Sequence, residues 1–221
     1  MQKFATPAPI ATILDIPAGR VRFVAADRAD TTVDVRPADP TKSRDVKAAE
    51  QAKVEFGDGV LRIAAAAKNQ YFGPSGALEV VVELPAGSGV EVKAASVELR
   101  GTGRLGDLAV DGAYGEIVFD EAADVRLTAH AGDVSFGRLT GSAEIATGKG
   151  DIRIAEAVSG SLVLSTQAGD ISVGAAPGVS ASLDAGTTYG RISNALKNSE
   201  GTAALTIHAT TAYGDIDARS L

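Results

Sequence analysis

The sequence predicts an all-β fold, a parallel β-helix or β-solenoid with about 18–20 residues per coil and one short helix near residues 43–52. Three observations predict it. First, a Gly-acid-aliphatic step recurs: Tyr114-Gly115-Glu116-Ile117, Ala131-Gly132-Asp133-Val134, Lys149-Gly150-Asp151-Ile152, Ala168-Gly169-Asp170-Ile171, Tyr189-Gly190-Arg191-Ile192 and Tyr213-Gly214-Asp215-Ile216. Its glycines lie 17, 18, 19, 21 and 24 residues apart. Second, an alternating apolar pair follows each of the early steps: Ile117/Phe119, Val134/Phe136, Ile152/Ile154 and Ile171/Val173. Alternation puts both members of a pair on one strand face. Third, the chain is 45% hydrophobic and Gly-rich (25 Gly), but holds only four Tyr and six Phe. Aliphatic, aromatic-poor and Gly-rich suits short strands joined by small corners around a narrow core.

The N-terminal part reads as strands over residues 10–16, 21–24 and 31–35. Pro17-Ala18-Gly19 and Leu84-Pro85-Ala86-Gly87 each predict a tight turn, since Pro fixes φ and Gly permits positive φ. The second turn would lie between strands at 78–84 and 90–92. Residues 43–52 (SRDVKAAEQA) are the one credible helix, with Ser43 as its N-cap. It is either a cover for the open end of the coils or a surface helix in a loop. Residues 68–76 form a loop carrying Tyr71 and Phe72.

Repeats begin near residue 90, and 95–99 read as a degenerate first copy. A second strand precedes each glycine, marked by Leu127/Ala129, Ile145/Thr147, Leu164/Thr166, Leu183/Ala185 and Ile207/Ala209. A coil of about 19 residues at roughly 3.3 Å each closes a path of about 60 Å, and coils stack about 4.8 Å apart. Thr147, Thr166, Thr187 and Thr211 each stand three residues before a Gly and should form a ladder bonding neighbouring coils. The two longest spacings predict loops near 177–180 and 194–201. The chain reads as one continuous β domain over 1–221, with irregular coils in 1–90 and repeat coils in 91–221.

The formal charge is −7, and it is lopsided. Residues 1–95 hold 12 basic and 12 acidic side chains; residues 96–221 hold 9 and 16. An acidic repeat half is a poor partner for nucleic acid, whose phosphates need clustered Lys and Arg, or for an anionic bilayer. The absence of cysteine excludes disulfides, Cys-ligated zinc and thiol catalysis. Met1-Gln2-Lys3-Phe4 leads into no apolar run of signal-peptide kind, and no window matches a membrane span. The expectation is a cytoplasmic protein that inserts in no membrane and binds no nucleic acid.

The repeated acids are the first chemical candidates. Glu116, Asp133, Asp151, Asp170 and Asp215 would form a column interrupted by Arg191. An acid after a corner Gly commonly accepts local backbone N–H groups; paired carboxylates also bind cations or act as acid and base. His130 and His208 stand at different offsets from their glycines and do not predict a shared site. No Gly-x-Ser-x-Gly elbow, phosphate loop or dinucleotide fingerprint is present. Tyr189 and Tyr213 directly precede their glycines, as Tyr114 does, and should stack on consecutive coils. Such a pair either packs a corner or offers a platform to sugars or peptides.

Taken together, these motifs resemble the putative bacterial adhesin family of β-strand repeat proteins. The resemblance rests on Phe4-x-x-Pro7 through Asp15-Ile16-Pro17-Ala18-Gly19, the Leu84-Pro85-Ala86-Gly87 phrase, the repeated Gly-Asp-Ile steps, and the ending Thr211-Ala212-Tyr213-Gly214-Asp215-Ile216. It covers nearly the whole chain. It implies a β-solenoid and no established catalytic residues; the residues themselves predict no metal site and no cofactor.

The leading expectation is a non-enzymatic structural or protein-interaction solenoid that associates with copies of itself or with another protein. Its interaction surface would draw on Tyr189, Tyr213, Asp151, Asp170 and Ile216, the last on an uncapped edge near the end of the chain. The alternative is a carbohydrate-binding or carbohydrate-active β-helix, using Asp151 and Asp170 with Lys149 and Arg191. Adjacent coils would hold those two carboxylates about 5 Å apart, the scale of a glycosidase pair.

Overall fold

The structure is a computed structural model that describes residues 1–65, 76–198 and 202–221. Its elements run β1 (Gln2–Ala5), β2 (Ala11–Ala26), β3 (Asp30–Pro37), α1 (Ser43–Gln51), β4 (Lys53–Gly57), β5 (Val60–Ala64), β6 (Leu78–Pro85), β7 (Gly89–Arg104) and β8 (Leu108–Tyr114). They continue as β9 (Ile117–Ala122), β10 (Val125–Ala131), β11 (Val134–Leu139), β12 (Ala143–Lys149), β13 (Ile152–Ala157), β14 (Gly160–Ala168), β15 (Ile171–Ala175), β16 (Ala181–Tyr189), β17 (Ile192–Ala195), β18 (Leu205–Tyr213) and β19 (Ile216–Ser220). The chain is an all-β solenoid of mostly parallel strands with one short helix. It forms two compact units, Met1–Gly115 and Glu116–Leu221.

In the first unit β2 is the middle coil. Its first half pairs in parallel with β5 and its second half with β6, while β7 pairs in parallel along nearly all of it. Thus β2 precedes β5 and β6 in the chain yet lies between them and β7. Leu14, Ile16, Val21 and Phe23 of β2 are buried with Leu61, Ile63, Val80, Val82, Val92 and Leu99 of its neighbours.

Antiparallel strands extend the outer side of this unit: β3 on β6, β1 on β3, and β4 on β5. The rings of Phe4 (β1) and Phe56 (β4) meet there, 5.3 Å between centroids. α1 links β3 to β4 and lies against β3 and β6. Asp45, the buried residue of α1, accepts the Ala77 N–H at 3.0 Å.

Two local expectations need correction. Ser43 is the first helical residue and not the cap; Lys42 holds the cap position, without a side-chain cap bond. Pro17-Ala18-Gly19 is no tight turn. Ile16 pairs with Ala94 and Ala18 with Ser96, so the phrase bends β2 while it follows β7 along both halves. The Pro85–Gly87 phrase does turn, with Gly87 at φ +81° and the Ser88 N–H donated to the Pro85 carbonyl at 3.2 Å. Tyr71 and Phe72 lie outside the described residues.

The second unit is the regular one. Its coils β10–β11, β12–β13 and β14–β15 stack in parallel and in register. Val134 pairs with Ile152, which pairs with Ile171; Val125 pairs with Ala143, which pairs with Leu162. Phe119 and Phe136 stack inside at 5.6 Å between ring centroids. Corners require Gly where coils come closest. Gly169 has φ +155°, and a Cβ there would run into the Gly150 carbonyl oxygen.

Chain order then breaks. β18 pairs with both β14 and β16, and β19 with both β15 and β17. The last coil in sequence is therefore inserted beneath the one before it, and the outermost coil is β16–β17. This gives the long spacings a cause: the chain must step over one coil and then return beneath it. Each step adds about 4.8 Å of travel, roughly one to two extended residues, before any turn is formed. Residues 177–180 form part of the first connection, as expected; of the second expected loop, Asn194 and Ala195 instead belong to β17, and of the rest only 196–198 lie within the described residues.

Candidate functional site

The corner of the second unit carries a hydrogen-bonded column. The Asp151 N–H is donated to Asp133 Oδ1 at 2.9 Å, the Asp170 N–H to Asp151 Oδ1 at 2.8 Å, and the Asp215 N–H to Asp170 Oδ1 at 2.7 Å. Each acid thus accepts the amide of its counterpart one coil outward. That is the local-backbone role open to a short acid at a corner. The second Asp151 oxygen accepts from Arg153 Nη2 at 2.6 Å. Among the described residues no cluster of three or more acids or histidines has the geometry of a metal site.

Arg191 ends the column. Its N–H is donated to Asp215 Oδ1 at 2.9 Å, and its guanidinium reaches Asp215 Oδ2 through Nη2 at 2.8 Å and Nε at 3.2 Å. The Arg191 amide and guanidinium hold the Asp215 carboxyl below its usual value, and the same bond raises Arg191. The threonine ladder parallels this column one layer inward. Thr166 donates to the Gly150 carbonyl, Thr211 to Gly169 and Thr187 to Gly214, each at 3.0 Å; Thr147 bonds within its own coil to Lys149 at 3.4 Å. Three of the four hydroxyls thus join neighbouring coils, in spatial rather than chain order.

Tyr189 and Tyr213 also stack as expected, with ring centroids 5.0 Å apart and planes 6° apart. Both remain exposed, at 64% and 60%. Tyr189 belongs to β16, so it stands on the outermost coil.

Ile216 is elsewhere than expected. It is 1% exposed, because β19 lies between β15 and β17 and places it between Ile171 and Ile192. The edge position passes to Ile192, which is 46% exposed although Ile152, Ile171 and Ile216 of the same column are covered. Among the described residues, β16 and β17 pair on one side only. Part of β16 is bridged: the Ala181 N–H is donated to the Lys197 carbonyl at 3.2 Å. β17 (Ile192-Ser193-Asn194-Ala195) is exposed along its whole length. Sequence reasoning missed Ile192, and two signals mark its coil as terminal. Arg191 replaces the acid of the column, and Asn194 replaces its apolar partners Val173 and Ala218.

The site thus brings Tyr189, Arg191 and Ile192 of the outer coil together with Tyr213 of the coil beneath it. Asp151 and Asp170 lie deeper in the column, already engaged by backbone. No helix among the described residues is long and apolar enough to cross a membrane.

No curated protein matches this sequence. Among solved structures, the chain is similar to a putative cell adhesion protein from Clostridium sporogenes ATCC 15579 (11% identity, 100% of this chain and 98% of that chain, TM-score 0.39). It is also similar to a putative adhesin from Bacteroides fragilis NCTC 9343 (13% identity, 98% and 95% covered, TM-score 0.40) and to one from Parabacteroides distasonis ATCC 8503 (14% identity, 98% and 95% covered, TM-score 0.30). The sequence model of the family described as Toastrack DUF4097 matches residues 14–220, nearly the whole chain, and the chain belongs to that family.

Proposed function

We propose that this protein is a non-enzymatic interaction solenoid, adhesin-like in kind, that pairs with a second copy of itself through the outer edge of β16–β17. The observation that carries the reading is the exposure of Ile192 on a parallel strand that, among the described residues, pairs on one side only. An unpaired strand edge offers a row of N–H and C=O groups and is a template for another strand. Natural edges are usually guarded by charge, but β17 holds neither Lys nor Glu, and its aliphatic residues, Ile192 and Ala195, are both exposed.

The occupant follows from polarity. Each copy offers this same edge, and two identical edges meet through a two-fold axis with their strands antiparallel. Such a contact closes at two copies. The exposed Tyr189 face and the Arg191 side chain flank the contact and add apolar area and charge to it.

Light scattering across a wide concentration range tests this. A species that saturates at twice 22.4 kDa is expected, with Ile192→Lys remaining monomeric. A wild-type chain that stays monomeric at high concentration rejects the reading. A dimer unaffected by Ile192→Lys moves the contact to another surface.

A further inference from the structure

The ladders that join the last coils are indifferent to chain order. Gly160, Leu205 and Ala181 are equivalent positions in register, and so are Thr166, Thr211 and Thr187, and Ile171, Ile216 and Ile192. A stack in simple chain order, β14–β15 then β16–β17 then β18–β19, would align the same repeat positions. Some side chains must therefore select the inserted order.

We infer that Arg191 and Asn194 are terminators that select it, forcing their own coil outermost and so determining which edge the protein offers. In the observed order Asp170 accepts the Asp215 N–H and Asp215 accepts the Arg191 N–H, so the amides of Asp151, Asp170, Asp215 and Arg191 each have a carboxylate. In chain order Asp170 would accept from Arg191. Arg191 has no carboxylate, and the Asp215 N–H would lose this acceptor.

Asn194 acts in the same direction. It occupies the inward column of Phe119, Phe136, Ile154, Val173 and Ala218. At the outer end it is exposed, and its Oδ1 accepts the Leu196 N–H at 3.0 Å. In chain order its amide would be enclosed between Val173 and Ala218. A buried polar group without partners shifts an equilibrium by roughly tenfold or more.

The chain contains no cysteine, so engineered pairs report the order cleanly. Ser161 and Thr206 are Cα partners on adjacent coils, whereas Ser161 and Ser182 are separated by the inserted coil. Adjacent strands are about 4.8 Å apart and alternate ones about 9.6 Å, beyond the roughly 7 Å limit for a disulfide. In the full chain, Ser161→Cys with Thr206→Cys is expected to close under mild oxidation, and Ser161→Cys with Ser182→Cys to stay open.

Adding Arg191→Asp and Asn194→Val should raise closure of the 161–182 pair by about tenfold or more. Asn194→Val alone, at a solvent-facing position that spares folding, should give a smaller rise. No rise in either background overturns the inference. Ready closure of the 161–182 pair in the otherwise native chain does so as well. The readout is intramolecular, so it separates this inference from self-association: the order can hold even if no dimer forms.

Discussion

Both units insert a coil out of chain order, but they finish their outer sides differently. In Met1–Gly115 the early strand β2 lies between β5–β6 and β7; in Glu116–Leu221 the late strands β18–β19 lie between β14–β15 and β16–β17. The first unit then turns its outer strands antiparallel, lays α1 across them and closes Phe4 on Phe56. Its outer strands also carry charge: Lys3, paired with Asp30 at 2.6 Å, and the exposed Lys53 and Glu55. The second unit ends on β17, which has none of these guards among the described residues. Insertion is thus a shared way to build a coil, while the treatment of the edge decides where a partner strand can add.

The sharpest way to break this comparison is to charge two isoleucines of one column. Ile216→Lys places an ammonium between covered coils and should destabilise the second unit by about 4 kcal/mol or more. Ile192→Lys, one coil outward, should change monomer stability by less than about 1 kcal/mol. Urea unfolding of both variants checks this; equal losses would mean that Ile192 is as covered as Ile216.

The next effect concerns the glycine column. Gly169→Ala meets both a positive φ and the Gly150 carbonyl, and should cost about 2–3 kcal/mol. Gly178→Ala, at φ +79° but with open space around it, should cost only about 1 kcal/mol. Thermal melts of the two separate close approach of coils from backbone strain alone.

At the other unit, Phe56→Ala removes the aromatic contact that closes the outer side, at about 1–2 kcal/mol. Hydrogen exchange in β1 and β4 should rise while β17 is unchanged.

The smallest effect is a pH dependence. Asp215 has its pKa lowered from 3.8 by the Arg191 amide and guanidinium. A carboxylate depressed in the folded state adds stability that is full above its unfolded value and lost as pH falls through its folded value. Protection of the β17 amides should therefore decline below pH 3.8, and Arg191→Ala should flatten that decline.

The coil, its corners and its ladders were legible because a repeat states the same physics several times over. Gly-Asp-Ile at 18- and 19-residue spacing permits little but a stacked corner, and threonines three residues earlier must then align. The order of the coils was not legible from periodicity, since equivalent positions align in either order. The signal lay in the departures: spacings of 21 and 24, Arg191 in an acid column, and Asn194 in an apolar one. Ile216 falls on the edge only if the last strand in sequence is also the last in space, and here it is not. At the other end, the Phe4–Phe56 closure joins two strands far apart in the chain, and neither residue belongs to a repeat that would have announced it.

One measurement tests the contrast between the two edges most directly: amide hydrogen exchange of the wild-type chain at low and high protein concentration. Protection confined to residues 192–195 and the neighbouring part of β16 is expected to grow with concentration, while β1 and β4 stay unchanged. Concentration-dependent protection in β1 or β4, or none in β17, would contradict an open edge on the second unit and a guarded one on the first.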